Sequence, residues 1–412
     1  MEDYRLWTLS NGIRIAYKKV PTTKIVHCGF VLDIGSRDEK PEQLGLAHFW
    51  EHMAFKGTKK RKAFHIINRL ESVGGELNAY TSKEKICFYA SVLSTYFESA
   101  LELLKDITFD SVFPEKQIDK ERKVILEEMA MYYDNPEDAI QDEFDNVIFK
   151  DHPLGSNILG TSETINSFQR EDFRTFIKEN LDTEKIIFAC VGNLEENKVE
   201  KLVKKYLEEI PHFRSGKERI PFSGYRAKSE QVERPLLQSQ CAIGRTAYPI
   251  LDPRRYDFFM LINILGGPGL NSRLNMALRE KYGFVYSVDA HYSPYRDTGL
   301  FAIFFGTEPG QLNRSIKIVL REMQKLKEQK LGVLQLQRAK EQLMGQLAMS
   351  EENNTSLMLM LGKSLLDLET IPSLENIYAK IRNITAENLL AVANEIFDED
   401  TLSYLTFVPS KN

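Results

Sequence analysis

The stretch 117-QIDKERKVILEEMAM-131 can be laid without gaps on 335-QLQRAKEQLMGQLAM-349. The leading Gln, the Ala and the final Met are identical. Ile118/Leu336, Lys120/Arg338, Arg122/Lys340, Ile125/Leu343, Leu126/Met344, Glu128/Gln346 and Met129/Leu347 pair conservatively. Helical periodicity alone produces part of such a match, so the flanking order must agree as well. Upstream of the first copy, YRLWTL, a turn at Ser10-Asn11-Gly12, IRIAYKKV and KIVHCGFVLDIG are rich in β-branched and aromatic residues and read as a hairpin and a third strand. Residues 65–92 read as a helix, a Gly-Gly turn and two strands; long helical periodicity fills roughly 93–146, and IIFACVG at 186–192 reads as a buried strand before another helix. The second half repeats this order: strands, a helix beginning near Arg255, a Gly-rich turn, two strands, then long helices. The expectation is an α+β chain of two homologous domains, each a mostly antiparallel sheet with helices packed on one face. The segment 211-PHFRSGKERIPFSGYR-226 combines Pro, Gly, Ser and charge without periodicity. This sets the domains at 1–212 and 226–412, with 213–225 as linker.

A chain of 412 residues, 42% hydrophobic and 27% charged, is long enough for two cores without disulfide staples. The net charge of −5 includes no long run of one sign, which argues against a nucleic-acid partner or a basic membrane-binding face. Cys28, Cys87, Cys190 and Cys241 stand far apart with no CxxC pair, so reduced, mostly buried thiols are expected. The N-terminus carries no apolar targeting core, and no stretch approaches the ~18 apolar residues of a spanning helix. The expectation is a cytoplasmic protein without membrane association.

One stretch raises a chemical question. In 44-LGLAHFWEHMAF-55, a helix places Leu46, Phe49, Trp50 and Met53 on one apolar stripe and His48, Glu51 and His52 on a separate face. Two imidazoles at i, i+4 can share one zinc ion, and a glutamate one residue before the second can hold a water beside it; HxxEH is the inverted form of HExxH. The same residues can also form an ordinary hydrogen-bonded helix face. A third ligand separates the two readings, because zinc in a peptidase takes three protein ligands and leaves one position open. On the helix at 117–132, Glu121 and Glu128 share nearly one bearing, bordering the stripe of Ile118, Ile125, Met129 and Tyr132. Glu127 points about 100° away. Glu128 is therefore the candidate ligand, and Glu121 a carboxylate that could orient a ligand histidine. The repeat aligns Glu128 with Gln346 and Glu121 with Ala339, and 257-DFFMLINILG-266, counterpart of the motif, contains no histidine. Only the first half carries the metal chemistry.

Four segments, 45-GLAHFWEHMAFKGT-58, 74-GGELNAYTSKEKICFY-89, 121-ERKVILEEMAMYYDNP-136 and 265-LGGPGLNSRLNMALREKYGFVYSV-288, resemble the pitrilysin and insulin-degrading-enzyme family of zinc metallopeptidases. The likeness is to its short branch, with the mitochondrial processing peptidase subunits and their bacterial relatives. The departures are small: Trp50 replaces a more usual aliphatic residue, and Glu128 stands one residue closer to the histidines than is commonest. The resemblance implies a zinc-dependent endopeptidase acting on unfolded peptides or oligopeptides, with His48, His52 and Glu128 on Zn2+ and Glu51 as general base toward the zinc-bound water. It also implies that substrate adds to a sheet edge at Leu77–Thr81, through Asn78 and Ala79. Arg279 and Tyr286 are similar to a pair that reaches substrate from the domain without metal; read from the sequence alone they are a helix-terminal cation and a strand aromatic. Because family members enclose substrate between two such two-domain halves, a homodimer or a heterodimer with a related subunit is implied. The alternative is a non-catalytic or substrate-presenting subunit of a heteromeric peptidase or structural complex.

Overall fold

The computed structural model describes residues 4–410. They form two compact units. The first takes residues up to Met129, Ser156–Arg219 and Met349–Ser373; the second takes Ala130–Gly155, Ile220–Ala348 and the chain from Leu374. In chain order the elements of the first half are β1 (Arg5–Thr8), β2 (Arg14–Lys19), β3 (Ile25–Leu32), α1 (Leu46–Ala54), α2 (Ala63–Glu71), β4 (Glu76–Thr81), β5 (Ile86–Leu93), α3 (Phe97–Phe109), α4 (Glu115–Asp134), α5 (Pro136–Ile148), α6 (Ser162–Ser167), α7 (Arg170–Asn180), β6 (Ile186–Gly192) and α8 (Glu196–Leu207). After a segment without regular structure come β7 (Ser229–Arg234), β8 (Ser239–Ala247), α9 (Arg255–Gly266), β9 (Val285–Pro294), β10 (Gly299–Thr307), α10 (Leu312–Glu328), α11 (Val333–Glu352), α12 (Asn354–Leu368), α13 (Leu374–Asn383), α14 (Ala386–Ile396) and β11 (Ser403–Pro409).

The sheet of the first unit runs β1-β2-β6-β3-β5-β4. The expected hairpin is present, with Arg5 opposite Tyr17 and Thr8 opposite Arg14. The third strand does not pair with it. Instead β6 inserts parallel to β2 and antiparallel to β3. Its sequence IIFACVG shows no polar alternation because both its faces are buried. The second sheet, β7-β11-β8-β10-β9, repeats the device: its last strand, β11, lies parallel to β7 and antiparallel to β8. All other neighbours in both sheets are antiparallel, so the chain is α+β with two related domains. The repeat is also exact at the helix ends, since α4 and α11 start at the aligned residues Glu115 and Val333 and stop at Asp134 and Glu352. An asparagine caps the next helix in each copy. Asn135 accepts the N–H of Glu137, and Asn353 that of Ser356.

The helices after these caps explain why the units are not contiguous in sequence. On β3, the residues Val26, Cys28, Phe30 and Leu32 face the main helical layer and its Phe49, Trp50, Leu101 and Leu104. Val31 faces the other way, with Ala16, Ile187, Ala189 and Val191, and is covered by Leu357, Met358, Leu361 and Leu365 of α12. In the second unit, α5 does the same with Ala139, Ile140, Phe144 and Val147 against Ala242, Ala302, Leu405 and Phe407. Each sheet thus carries its main helices on one face and, on the other, a helix from the opposite half of the chain. The α12 contact is close: a Cβ at Gly362 would stand 2.6 Å from Val31 Cγ2. Gly362→Ala is therefore expected to destabilise by about 1–3 kcal/mol, although alanine is the better helix former by about 1 kcal/mol. Urea unfolding checks this, and a more stable variant would show that the helix can move aside.

The four cysteines are free and buried, as expected. Among the described residues, no helix is long and apolar enough to cross a membrane.

Candidate metal centre

Leu46, Phe49, Trp50 and Met53 on α1 have no exposed surface. Each such burial is worth about 1.5–3 kcal/mol, so the helix is fixed in rotation about its axis. It starts at Gly45, whose φ of +91° suits glycine, and a Cβ there would stand 2.6 Å from the carbonyl oxygen of Leu159. The N-terminal N–H groups of α1 are capped from outside the helix: the Glu39 carboxylate accepts from Gly45 N at 2.9 Å and Ala47 N at 2.7 Å. Burial pushes the Glu39 carboxyl up to about 8, and these two N–H groups pull against that rise.

With the stripe buried, His48, Glu51 and His52 turn toward α4 and β4. His48 Nε2 lies 3.8 Å from Glu128 Oε1, and His52 Nε2 lies 3.6 Å from Glu128 Oε2. The two imidazole centroids are 4.5 Å apart. One ligand atom from each of His48, His52 and Glu128 falls within 4.8 Å of the others, and no second such group of His, Cys, Asp or Glu occurs among the described residues. Glu127 is exposed. Glu121 is buried and orients His52: its Oε1 is 3.0 Å from His52 Nδ1, while Lys56 Nζ donates to Oε2 at 2.7 Å. Burial opposes ionisation of Glu121, but the bonds from His52 and Lys56 outweigh it and hold the carboxyl below its ordinary range. Glu51 lies beside the cluster and accepts a 2.6 Å hydrogen bond from the Thr81 hydroxyl. Burial pushes the Glu51 carboxyl up, Thr81 and His52 pull it back, and Glu128 adds to the rise.

The donor set fits a divalent metal on protonation grounds. Glu121 as a carboxylate only accepts, so a neutral His52 carries its proton on Nδ1 and aims the Nε2 lone pair at Glu128. Burial, with His52 adding to it, holds His48 down to about 3, so its ring is neutral. The contacts of 3.6 and 3.8 Å are too long for hydrogen bonds. Glu128 and a neutral His52 thus bring lone pairs to this point, and His48, whose buried Nδ1 has no hydrogen-bond partner, adds a third when its proton sits on Nδ1, so a cation between them would satisfy all three. Bonds of about 2.0–2.1 Å in a tetrahedron put zinc ligand atoms roughly 3.3 Å apart, somewhat inside the 3.6 and 3.8 Å separations here and the 4.8 Å that spans the group.

The strand beside this cluster, β4, is the outer strand of its sheet, so one of its backbone edges has no partner within the sheet. Asn78 and Ala79 sit mid-strand, opposite Tyr89 and Phe88 of β5, rather than at a turn. In the second unit Arg279 lies in the last turn of the π-helical segment Asn275–Glu280, and Tyr286 is the second residue of the outer strand β9. The Arg279 guanidinium lies 5.5 Å from the centre of the Tyr286 ring, within cation–π range, and Tyr286 is 85% exposed. The sequence reading missed Lys56 and Glu39, and it placed Thr81 only as the end of the substrate-adding strand, without its bond to Glu51. Lys56 had a signal, standing one helical turn after His52. Thr81 shares the α1-facing side of β4 with Leu77 and Ala79, but nothing in the sequence pairs it with Glu51. Glu39 lies in an irregular segment with no periodicity to read.

Residues 14–162 match the model of insulinase, peptidase family M16, and residues 167–343 match the peptidase M16 inactive domain. An "uncharacterized zinc protease" of Streptomyces coelicolor is 34% identical over 95% of this chain and 87% of its own length. Another, from Bacillus subtilis, is 33% identical over 96% of each chain. Among solved structures, a protease from Helicobacter pylori superposes with a TM-score of 0.92 at 21% identity, covering 99% of this chain and all of its own. The peptidase M16 inactive domain from Pseudomonas fluorescens gives the same score at 19% identity, covering 99% of both chains. Both structures share this fold. With matched models spanning both halves and relatives alike over nearly their whole lengths, this chain belongs to peptidase family M16.

Proposed function

We propose that the chain is a zinc-dependent endopeptidase that hydrolyses unfolded peptides or oligopeptides. The observation that carries this reading is the convergence of His48, His52 and Glu128 on one point beside Glu51, at the edge strand β4. Zinc, when bound, supplies a Lewis acid that acidifies a water and polarises the scissile carbonyl. The protein's part is then proton transfer and positioning. Glu51 takes a proton from the attacking water and returns it to the leaving amine. A partly buried carboxylate with a raised pKa suits both halves of that task. Peptide pairs with the free edge of β4 along Asn78 and Ala79, using backbone hydrogen bonds that any extended sequence can supply, which fits broad selectivity. Glu121 fixes the tautomer and orientation of His52.

Arg279 and Tyr286 have the roles of holding peptide carbonyls and donating to the developing oxyanion, and the working form is a dimer with itself or with a related subunit. The names of the Streptomyces and Bacillus relatives, both zinc proteases, support the metal and the reaction class. Hydrolysis of a quenched peptide with and without chelator separates this reading from a non-catalytic subunit, which would show no metal-dependent turnover.

The ligand assignment has its own test. Glu128→Gln is expected to weaken zinc binding far more than Glu127→Gln, because a neutral amide is a poorer donor and Glu127 points to solvent. Competition titration of zinc against a chromogenic chelator measures both. Equal affinities, or the reverse order, would defeat the choice of Glu128.

A further inference from the structure

The pleat of β4 puts Leu77, Ala79 and Thr81 on the face toward α1, and Leu77 and Ala79 pack on the core there. Tyr80 points to the opposite face, beside Cys87 and the residues that meet α12. Thr81 is the last residue of the strand and pairs with Ile86 of β5, so its Cα is held by the sheet. From that fixed point its Oγ1 donates to Glu51 Oε2 at 2.6 Å. Glu51 itself is attached to a helix whose rotation the buried stripe locks. Two rigid elements therefore meet at one carboxylate, and the hydroxyl bond that joins them comes from the outer strand of the sheet.

We propose that Thr81 is a positioning residue for the general base: its hydroxyl clamps one oxygen of Glu51 and leaves the other turned toward the convergence of His48, His52 and Glu128. This rests on the peptidase reading above. Glutamate has three rotatable bonds, and an unclamped carboxylate samples orientations that miss the attacking water. A misplacement of about 1 Å can cost as much as 10²-fold in rate. The Thr81 hydroxyl is spent on Glu51, and its backbone, which belongs to the strand edge, is unchanged when the side chain is substituted, so its loss should act on turnover through Glu51 rather than on metal or substrate affinity. No proton or electron changes owner at Thr81; the hydroxyl keeps its proton throughout.

Thr81→Val removes the hydroxyl and keeps shape and strand preference, and Thr81→Ser keeps the hydroxyl and removes a methyl. In the zinc-loaded full chain, Thr81→Val is expected to lower kcat about 10- to 100-fold, with KM and zinc content unchanged, while Thr81→Ser stays near wild type. A second readout does not need turnover. A peptide hydroxamate gives its N–OH proton to the base on binding, so its affinity should fall about tenfold in Thr81→Val and little in Thr81→Ser. Four results overturn the proposal: wild-type kcat and hydroxamate affinity in Thr81→Val; equal losses in both variants, which would implicate packing; zinc loss in Thr81→Val; or an effect confined to KM. Absence of peptide turnover in the wild type would instead sink the peptidase reading, and the hydroxamate affinities would then decide the role of Thr81 alone.

Discussion

Glu51→Gln is expected to keep its zinc and lose nearly all turnover. The substitution leaves His48, His52 and Glu128 in place and preserves the shape of the side chain. Its amide can still meet the Thr81 hydroxyl, through the carbonyl oxygen. What disappears is the basic oxygen that takes a proton from the attacking water. Loss of a general base commonly costs about 10²–10⁴-fold. Zinc content measured beside kcat decides the matter. A variant that loses the metal would make Glu51 a ligand or a support for one, and a variant with wild-type turnover would remove it from the reaction.

Tyr286→Phe is expected to lower kcat by about 10²–10³-fold, the usual effect of removing one donor to a developing oxyanion, with zinc content and folding unchanged. The residue is the second of an edge strand in the unit that lacks the His48, His52 and Glu128 group, and at 85% exposure its ring is committed to no core. Removing the hydroxyl therefore costs no packing. Arg279, whose guanidinium is 5.5 Å from the ring centre, carries a charge suited to peptide carbonyls, so Arg279→Ala should act mainly on KM. In a dimer the tyrosine and the zinc ligands of one catalytic set come from one chain or from two. Mixing inactive Glu51→Gln chains with Tyr286→Phe chains distinguishes these, since recovered activity requires ligands and tyrosine from different chains. Full turnover by Tyr286→Phe alone would end its assignment.

The convergence of His48, His52 and Glu128 was legible because helical spacing is a strong constraint. His48 and His52 lie one turn apart on a helix whose opposite stripe is entirely apolar, and the same 100° bearing argument separated buried-edge Glu128 from exposed Glu127. Glu121 followed from sharing that bearing, and it does meet His52. The duplication was legible too, down to helix ends that coincide in the alignment. Periodicity reports which face of an element is apolar and not which surface will cover it. That is why the insertion of β6 between β2 and β3 escaped the reading, and why the exchange of α5 and α12 between the sheets did. The clamp from Thr81 to Glu51 was hidden for a related reason: it depends on which strand ends the sheet beside α1, a fact of topology.

The central claim, that this cluster is a working catalytic zinc site, is tested most directly by stripping the protein of metal and adding zinc back in increments while following hydrolysis of a quenched peptide. The account predicts no turnover in the stripped chain and a linear rise that levels at one zinc per chain. Turnover that survives removal of the metal, or a chain fully loaded with zinc that cleaves nothing in any oligomeric state, would contradict it.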